Sequence, residues 1–148
     1  MQGIERVAAM METGQGAAPS VSDSEKLGVS LHDALTDRGW QDLQDSLLAS
    51  AGRRPRKDAG RRTAPGGVVI DVSAMDVMDS FATRSLDGIA RMLALRGAET
   101  VVVGIQPGVA FAMAQLGLGL ASAGTALDLE AGLRVLAQRM RVDERHGQ

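Results

Sequence analysis

The chain alternates between two kinds of hydrophobic pattern. Continuous runs rich in β-branched residues occur at Gly67–Val72 (GVVIDV) and Glu99–Ile105 (ETVVVGI), the signature of strands buried on both faces. Around them, apolar residues recur at helical spacing. Trp40, Leu43 and Leu47 stand three and four apart behind a cap at Thr36 or Asp37. Ala82, Leu86, Ile89, Ala90 and Leu93 share one face of a second helix, which begins near Ser80 and stops at Gly97. Pro107 suits the first position of a third helix, lined by Val109, Met113 and Leu116 and ended by Gly117. Asp128 caps a fourth, with Leu129, Leu133, Leu136 and Met140 on one stripe. Arg134, Arg139 and Arg141 load its C-terminal end, where cations suit the helix dipole. Ser20–Asp23 and Leu27–Leu31 form a short hairpin on this reading, and Thr125–Leu127 a short last strand.

Strands that alternate with helices predict an α/β fold around a parallel or mixed sheet, with right-handed crossovers. In such sheets functional groups collect beyond the carboxyl ends of the strands. Here that edge carries Asp71–Ser80 after one strand and Ile105–Gly108 after the next.

A chain of 148 residues makes one domain. Residues 1–18, rich in Gly, Ala and Met, are expected to be a disordered tail; residues 19–142 are the domain, 51–66 a loop insertion within it, and 143–148 a C-terminal tail. Aromatic residues number three, Trp40, Phe81 and Phe111, so the core is aliphatic and no stacking platform for bases is available. Trp40 is expected in the core and His32 at the surface or in a loop. Cysteine is absent, which removes thiol nucleophiles and thiolate zinc sites. Two histidines, His32 and His146, are too few for a histidine-built metal site. No segment reads as a secretory signal or a membrane span. The expectation is a cytoplasmic protein without a metal or cofactor.

The net charge of −2 is divided. Arg53, Arg54, Arg56, Lys57, Arg61 and Arg62, with one aspartate among them, give residues 53–62 a local charge of +5; everything else carries −7. Six cations in ten residues could contact phosphates, which makes a nucleic-acid module a possible reading. Charge blocks are more usually solvated loops, and an acidic body opposes binding at long range. An enzyme fares worse. Asp71 at a strand end invites comparison with phosphoryl-accepting aspartates, yet no lysine follows it, and there is no phosphate-binding Gly-rich loop ending in lysine.

The chemistry concentrates in Asp71–Phe81 (DVSAMDVMDSF), which places Asp71, Asp76, Asp79, Ser73 and Ser80 between a buried strand and a helix. Asp79 or Ser80 can simply cap that helix. Alternatively, Ser80 is a phosphorylation site: a phosphate at a helix N-terminus meets free backbone N–H groups, and it adds nearly two charges beside Asp76 and Asp79. Met75 and Met78 suit core packing, or an adaptable contact surface beside Ser80. Phe81 is either the first apolar anchor of the helix, the favoured reading, or an exposed partner contact.

GVVIDVSAMDVMDSF (Gly67–Phe81), GAETVVVGIQPGVA (Gly97–Ala110), LGLGL (Leu116–Leu120), TALDLEAGL (Thr125–Leu133) and LHDALTDRGWQDLQDSLL (Leu31–Leu48) together resemble the STAS family, and within it the RsbS-type antagonists of bacterial stressosomes. The resemblance covers roughly residues 19–141. Asp-Ser alone is common among STAS phosphoproteins; Asp-Ser-Phe combined with Val-Gly-Ile-Gln-Pro is more specific. It implies a small mixed sheet with helices packed mostly on one face. It implies phosphorylation of Ser80 by an RsbT-type serine/threonine kinase, which the unphosphorylated form sequesters and the phosphorylated form releases in a stress response. Asp76, Met78, Asp79, Phe81, Thr83, Gln106 and Pro107 are then the switch-loop and partner-binding residues. RsbR-type scaffold proteins in a large homo- or hetero-oligomeric assembly are the further implied partners. An anti-anti-sigma factor that binds an anti-sigma kinase directly is the alternative within the family. The 51–66 insertion is longer and more basic than the family pattern.

Overall fold

The computed structural model describes residues 17–23, 26–32, 35–51 and 66–146. The buried β-branched runs form the middle of a five-stranded sheet, ordered β1 (Ala17–Asp23), β2 (Lys26–Leu31), β3 (Gly67–Asp71), β4 (Glu99–Val103) and β5 (Gly124–Ala126). β1 and β2 are the expected hairpin, antiparallel, with Ala17 opposite Leu31. β2, β3, β4 and β5 run parallel, so the sheet is mixed. Four helices alternate with them: α1 (Asp37–Ser50), α2 (Ser80–Leu95), α3 (Pro107–Gln115) and α4 (Leu129–His146).

The two faces of the sheet are covered unequally, by side-chain alternation along each strand. Val68, Ile70, Val72 and Val102 join Leu27, Val29 and Leu31 on one face. There they meet Trp40, Leu43 and Leu47 of α1, the Ala82–Leu93 stripe of α2, and Val109 and Met113 of α3. Val69, Val101 and Val103 point the other way and meet Leu136 of α4, with Leu129, Leu133 and Met140 around it. Three helices thus share one face and one lies on the other. Both faces of β3 and β4 being dry is why those strands read as unbroken apolar runs. Gly132 lets α4 approach β4: a Cβ there would run into Cγ1 of Val103.

Several local expectations shift in detail. Thr36 is the α1 cap, its hydroxyl accepting from Gly39 N–H at 3.0 Å, and Asp37 is the first helical residue. Leu116 does not line α3. It is the C-cap and is 68% exposed; the chain turns at Gly117 (φ +69°), and Leu118 packs back on the core instead. The last strand is Gly124–Ala126, which leaves Leu127 exposed. The described elements begin at Ala17 and run to His146, overlapping both expected tails. Arg134 therefore sits in the first half of α4 and pairs with Glu130 at 3.5 Å, while Arg139 reaches Glu99 of β4 at 3.0 Å. His32 lies just past the end of β2, outside any helix or strand as expected, and is half-buried.

Candidate functional site

Asp71 ends β3 and starts the turn that follows. Its Oδ1 accepts the Ser73 N–H at 2.9 Å, a local side-chain-to-backbone bond that bends the chain away from the sheet. The Val72 N–H still bonds the Val103 carbonyl at 3.0 Å, so the first residue beyond the strand remains tied to β4. Met75 and Met78 then dip into the core, 2% and 5% exposed. Between and beside these two anchors, Asp76 and Val77 are held outward, and Val77 is 66% exposed.

The loop ends at Asp79, the N-cap of α2. Its backbone is extended (φ −77°, ψ −179°), and its Oδ1 accepts the Ala82 N–H at 2.8 Å. Its carbonyl takes both the N–H and the hydroxyl of Thr83, each at 3.0 Å. Asp79 therefore does the capping, and Ser80 is the exposed first residue of the helix, with no hydrogen bond on its hydroxyl among the described residues. The N–H groups of Ser80 and Phe81 lie in the first turn, where a helix has no partners of its own to offer.

The neighbouring loop closes the site. Gln106 is the N-cap of α3 but makes no side-chain cap; Pro107 follows at the first helical position and lacks an N–H to be capped. The Gln106 amide reaches across instead. Its Nε2 donates to the Ser73 carbonyl at 2.8 Å and to Asp76 Oδ1 at 3.3 Å. Gly104 permits this approach: with φ +81°, a Cβ there would stand 2.8 Å from Ser73 Cβ and 3.1 Å from Asp71 Oδ1. The three carboxylates of the segment are thus used differently. Asp71 makes the turn, Asp76 meets Gln106, and Asp79 caps the helix.

Of the residues expected at the site, Asp76, Asp79, Ser80, Phe81, Gln106 and Pro107 border one edge, at the carboxyl ends of β3 and β4. Two do not present themselves to a partner. Met78 is core, tucked under the loop while Val77 and Asp79 on either side of it face outward. Thr83 is 1% exposed, its hydroxyl spent on the Asp79 carbonyl. Phe81 is not the apolar anchor: it is 48% exposed, and Met78 and Ala82 provide the burial. It lines a shallow groove of about 280 Å³ between α1 and α2, with Trp40, Gln44 and Ile89. Gly104 and the outward Val77 escaped the sequence reading. The signal for Gly104 was its place between a buried strand and Ile-Gln-Pro, where a tight turn must begin.

Arg53, Arg54, Arg56, Lys57, Arg61 and Arg62 lie outside the described residues. The flanking Ala51 and Gly66 stand at the end of α1 and the start of β3, the opposite end of the sheet from Ser80. Among the described residues, no three His, Asp or Glu side chains converge as metal ligands, and no helix is long and apolar enough to cross a membrane.

The STAS domain family model matches residues 24–123, which contain the whole of this edge. A Ser-to-Glu variant of RsbS from Moorella thermoacetica is 32% identical, with 84% of this chain and 97% of that one covered, at a TM-score of 0.63. A chain of the stressosome, described as a signal integration and transduction hub, is 34% identical, with 84% and 99% covered and a TM-score of 0.62. The unphosphorylated anti-sigma factor antagonist SpoIIAA shares the fold at 18% identity, with 80% and 95% covered and a TM-score of 0.56. No match was found among the curated proteins.

Proposed function

The chain belongs to the STAS family, and from that premise we propose that it is a non-enzymatic switch protein of the RsbS type. Its unphosphorylated form binds and holds an RsbT-type serine/threonine kinase. Phosphorylation of Ser80 releases that kinase. RsbR-type STAS proteins are its assembly partners, in the cytoplasm, as part of a stress response.

The observation that carries this reading is the division of labour at the start of α2. Asp79 caps the helix, which leaves the Ser80 hydroxyl exposed and without a structural role. A serine that the fold does not need, on a helix N-terminus and on a loop edge anchored by Met75, Met78 and Gln106, is open to modification at little cost in stability. A phosphate there places nearly two charges next to the Asp79 carboxylate, on a loop that also exposes Asp76 and Val77. A partner seated on that edge in the neutral state then meets a dianion and loses apolar contact with Val77 and Phe81. The 32–34% identity to an RsbS and to a stressosome chain favours the RsbS-type role over direct binding of an anti-sigma kinase.

The test is incubation of the protein with an RsbT-type kinase and ATP, followed by mass spectrometry and a kinase pull-down. One phosphate on Ser80 is expected, with release of the kinase as it accumulates. Ser80→Ala is expected to remain unmodified and to retain the kinase. Equal modification of the original and Ser80→Ala chains would sink the reading.

A further inference from the structure

α2 carries three charged side chains, Arg84, Asp87 and Arg91. Two of them are engaged with each other. Asp87 Oδ2 pairs with Arg91 at 2.9 Å, one turn on. Its Oδ1 accepts the Ser122 N–H at 2.8 Å, which ties α2 to the loop before β5. Both oxygens of the one acid on the helix are therefore taken. Arg84 is left over. It is exposed, and its guanidinium has no ion pair or hydrogen bond among the described residues. Four residues toward the C-terminus stands Gly88, which has no side chain to offer. Four residues toward the N-terminus, one turn back, stands Ser80, also exposed.

Residues four apart on a helix share one face, with β-carbons about 5–6 Å apart, and helical side chains lean toward the N-terminus. That geometry directs Arg84 toward Ser80. An unmodified serine gives a guanidinium no charge to meet. A phosphoserine gives it nearly two negative charges and three acceptor oxygens, which suit the planar fork of arginine donors. The order along the helix is the favourable one, the anion N-terminal to the cation. Other charged groups near the position oppose the modification: Asp76 and Asp79 lie in the loop, and α1 brings Asp37 to the groove beside Phe81. We propose that Arg84 is the internal counter-ion of a phosphoryl group on Ser80, pairing with it along α2 and fixing the dianion over the first turn. The inference rests on the reading of Ser80 as the modified residue. In that step the Ser80 oxygen takes the γ-phosphoryl of ATP, ADP leaves and the hydroxyl gives up its proton. Phosphorylation thus changes one helix face twice, by adding a dianion and by engaging the arginine beside it.

The test uses the full chain with phosphoserine placed at position 80 during translation, through an expanded genetic code, so that no kinase is needed. Phosphorus NMR follows the loss of the last phosphate proton, which ordinarily occurs near about pH 6. The original chain is expected to hold that proton about threefold less tightly than Arg84→Gln, the worth of a charge-assisted pair at this spacing. Arg84→Lys keeps the charge without the fork and is expected to fall between the two. Arg96→Gln is the control: the exposed C-cap arginine stands at the far end of α2, about 24 Å along the axis and beyond a Debye length, and should titrate as the original. The unphosphorylated Arg84→Gln chain is expected to melt with the unphosphorylated original. A phosphate that titrates alike in the original and Arg84→Gln chains, or one that responds equally to Arg96→Gln, would overturn the proposal. A lower melting point for unphosphorylated Arg84→Gln would overturn it too, because Arg84 would then already be engaged in the fold. Failure of an RsbT-type kinase to modify Ser80 would instead sink the switch reading, which this titration leaves untouched.

Discussion

Gln106 and Ser73 join the two loops of the candidate site: the glutamine amide donates to the serine carbonyl at 2.8 Å across 33 residues of sequence. A second, longer bond from the same nitrogen reaches Asp76 at 3.3 Å. The side chain that could have capped α3 holds the Ser80 loop instead. Gln106→Ala is therefore expected to lower stability by about 1 kcal/mol, the usual net worth of such bonds. Its clearer signature is local: amide hydrogen exchange over residues 73–79 should speed up while the α4 amides keep their protection. Unchanged exchange in the loop would show that Met75 and Met78 alone hold it.

Gly104 occupies a left-handed conformation, φ +81°, against the β-carbon of Ser73. Gly104→Ala combines backbone strain with a close contact, and each acts in the same direction. A loss of about 1–3 kcal/mol is expected in urea denaturation. Gly108→Ala is the control, because a β-carbon there meets nothing within 4 Å; in a helix it should be neutral or slightly stabilising.

Asp79 and Ser80 are adjacent and are expected to behave oppositely. Asp79→Ala removes the α2 cap and should cost about 0.5–2 kcal/mol. Ser80→Ala removes a hydroxyl with no partner among the described residues and should change stability by less than about 0.5 kcal/mol. Thermal unfolding of the two variants separates fold maintenance from the proposed modification. A Ser80→Ala chain that melted like Asp79→Ala would contradict the assignment of the cap.

Met78 and Phe81 make a similar pair across the surface boundary. Met78 is 5% exposed and Phe81 48%. Met78→Ala should cost about 2–5 kcal/mol through the cavity it leaves. Phe81→Ala should cost far less stability and, on the proposed function, instead weaken binding of the proposed kinase. Denaturation and a binding titration, run on both variants, distinguish the core residue from the contact residue.

Thr100 offers a gain. Its side chain is 1% exposed on β4, and its hydroxyl has no hydrogen-bond partner among the described residues. Valine has the same shape without the polar atom. Thr100→Val is expected to stabilise the protein by about 1 kcal/mol, the recovered cost of a buried unpaired hydroxyl. A lower urea midpoint for the variant would show that the hydroxyl is satisfied in solution.

The sequence by itself determined the architecture and pointed to the location of the candidate site. The runs through Val68–Val72 and Val101–Val103 demanded strands covered on both faces, and the stripes of α1, α2 and α4 named their inward residues. These are local periodicities, set by backbone geometry and the cost of leaving apolar surface wet. The proposed switch serine was legible for the same reason: a polar cluster between a strand and a helix lies at the carboxyl edge of a parallel sheet. Which residues of that cluster face outward was not legible. Met78 and Phe81 are both large and apolar and stand three apart. Only the way the loop folds under itself buries one and exposes the other. The bond from Gln106 to Ser73, and the close approach that requires Gly104, join segments distant in sequence, so no local pattern announces them. The exposure of Leu116 and Leu127 is likewise a tertiary result. Leu116 reads as part of the α3 stripe and Leu127 as the end of the last strand; only the turn at Gly117 and the end of β5 at Ala126 leave both exposed.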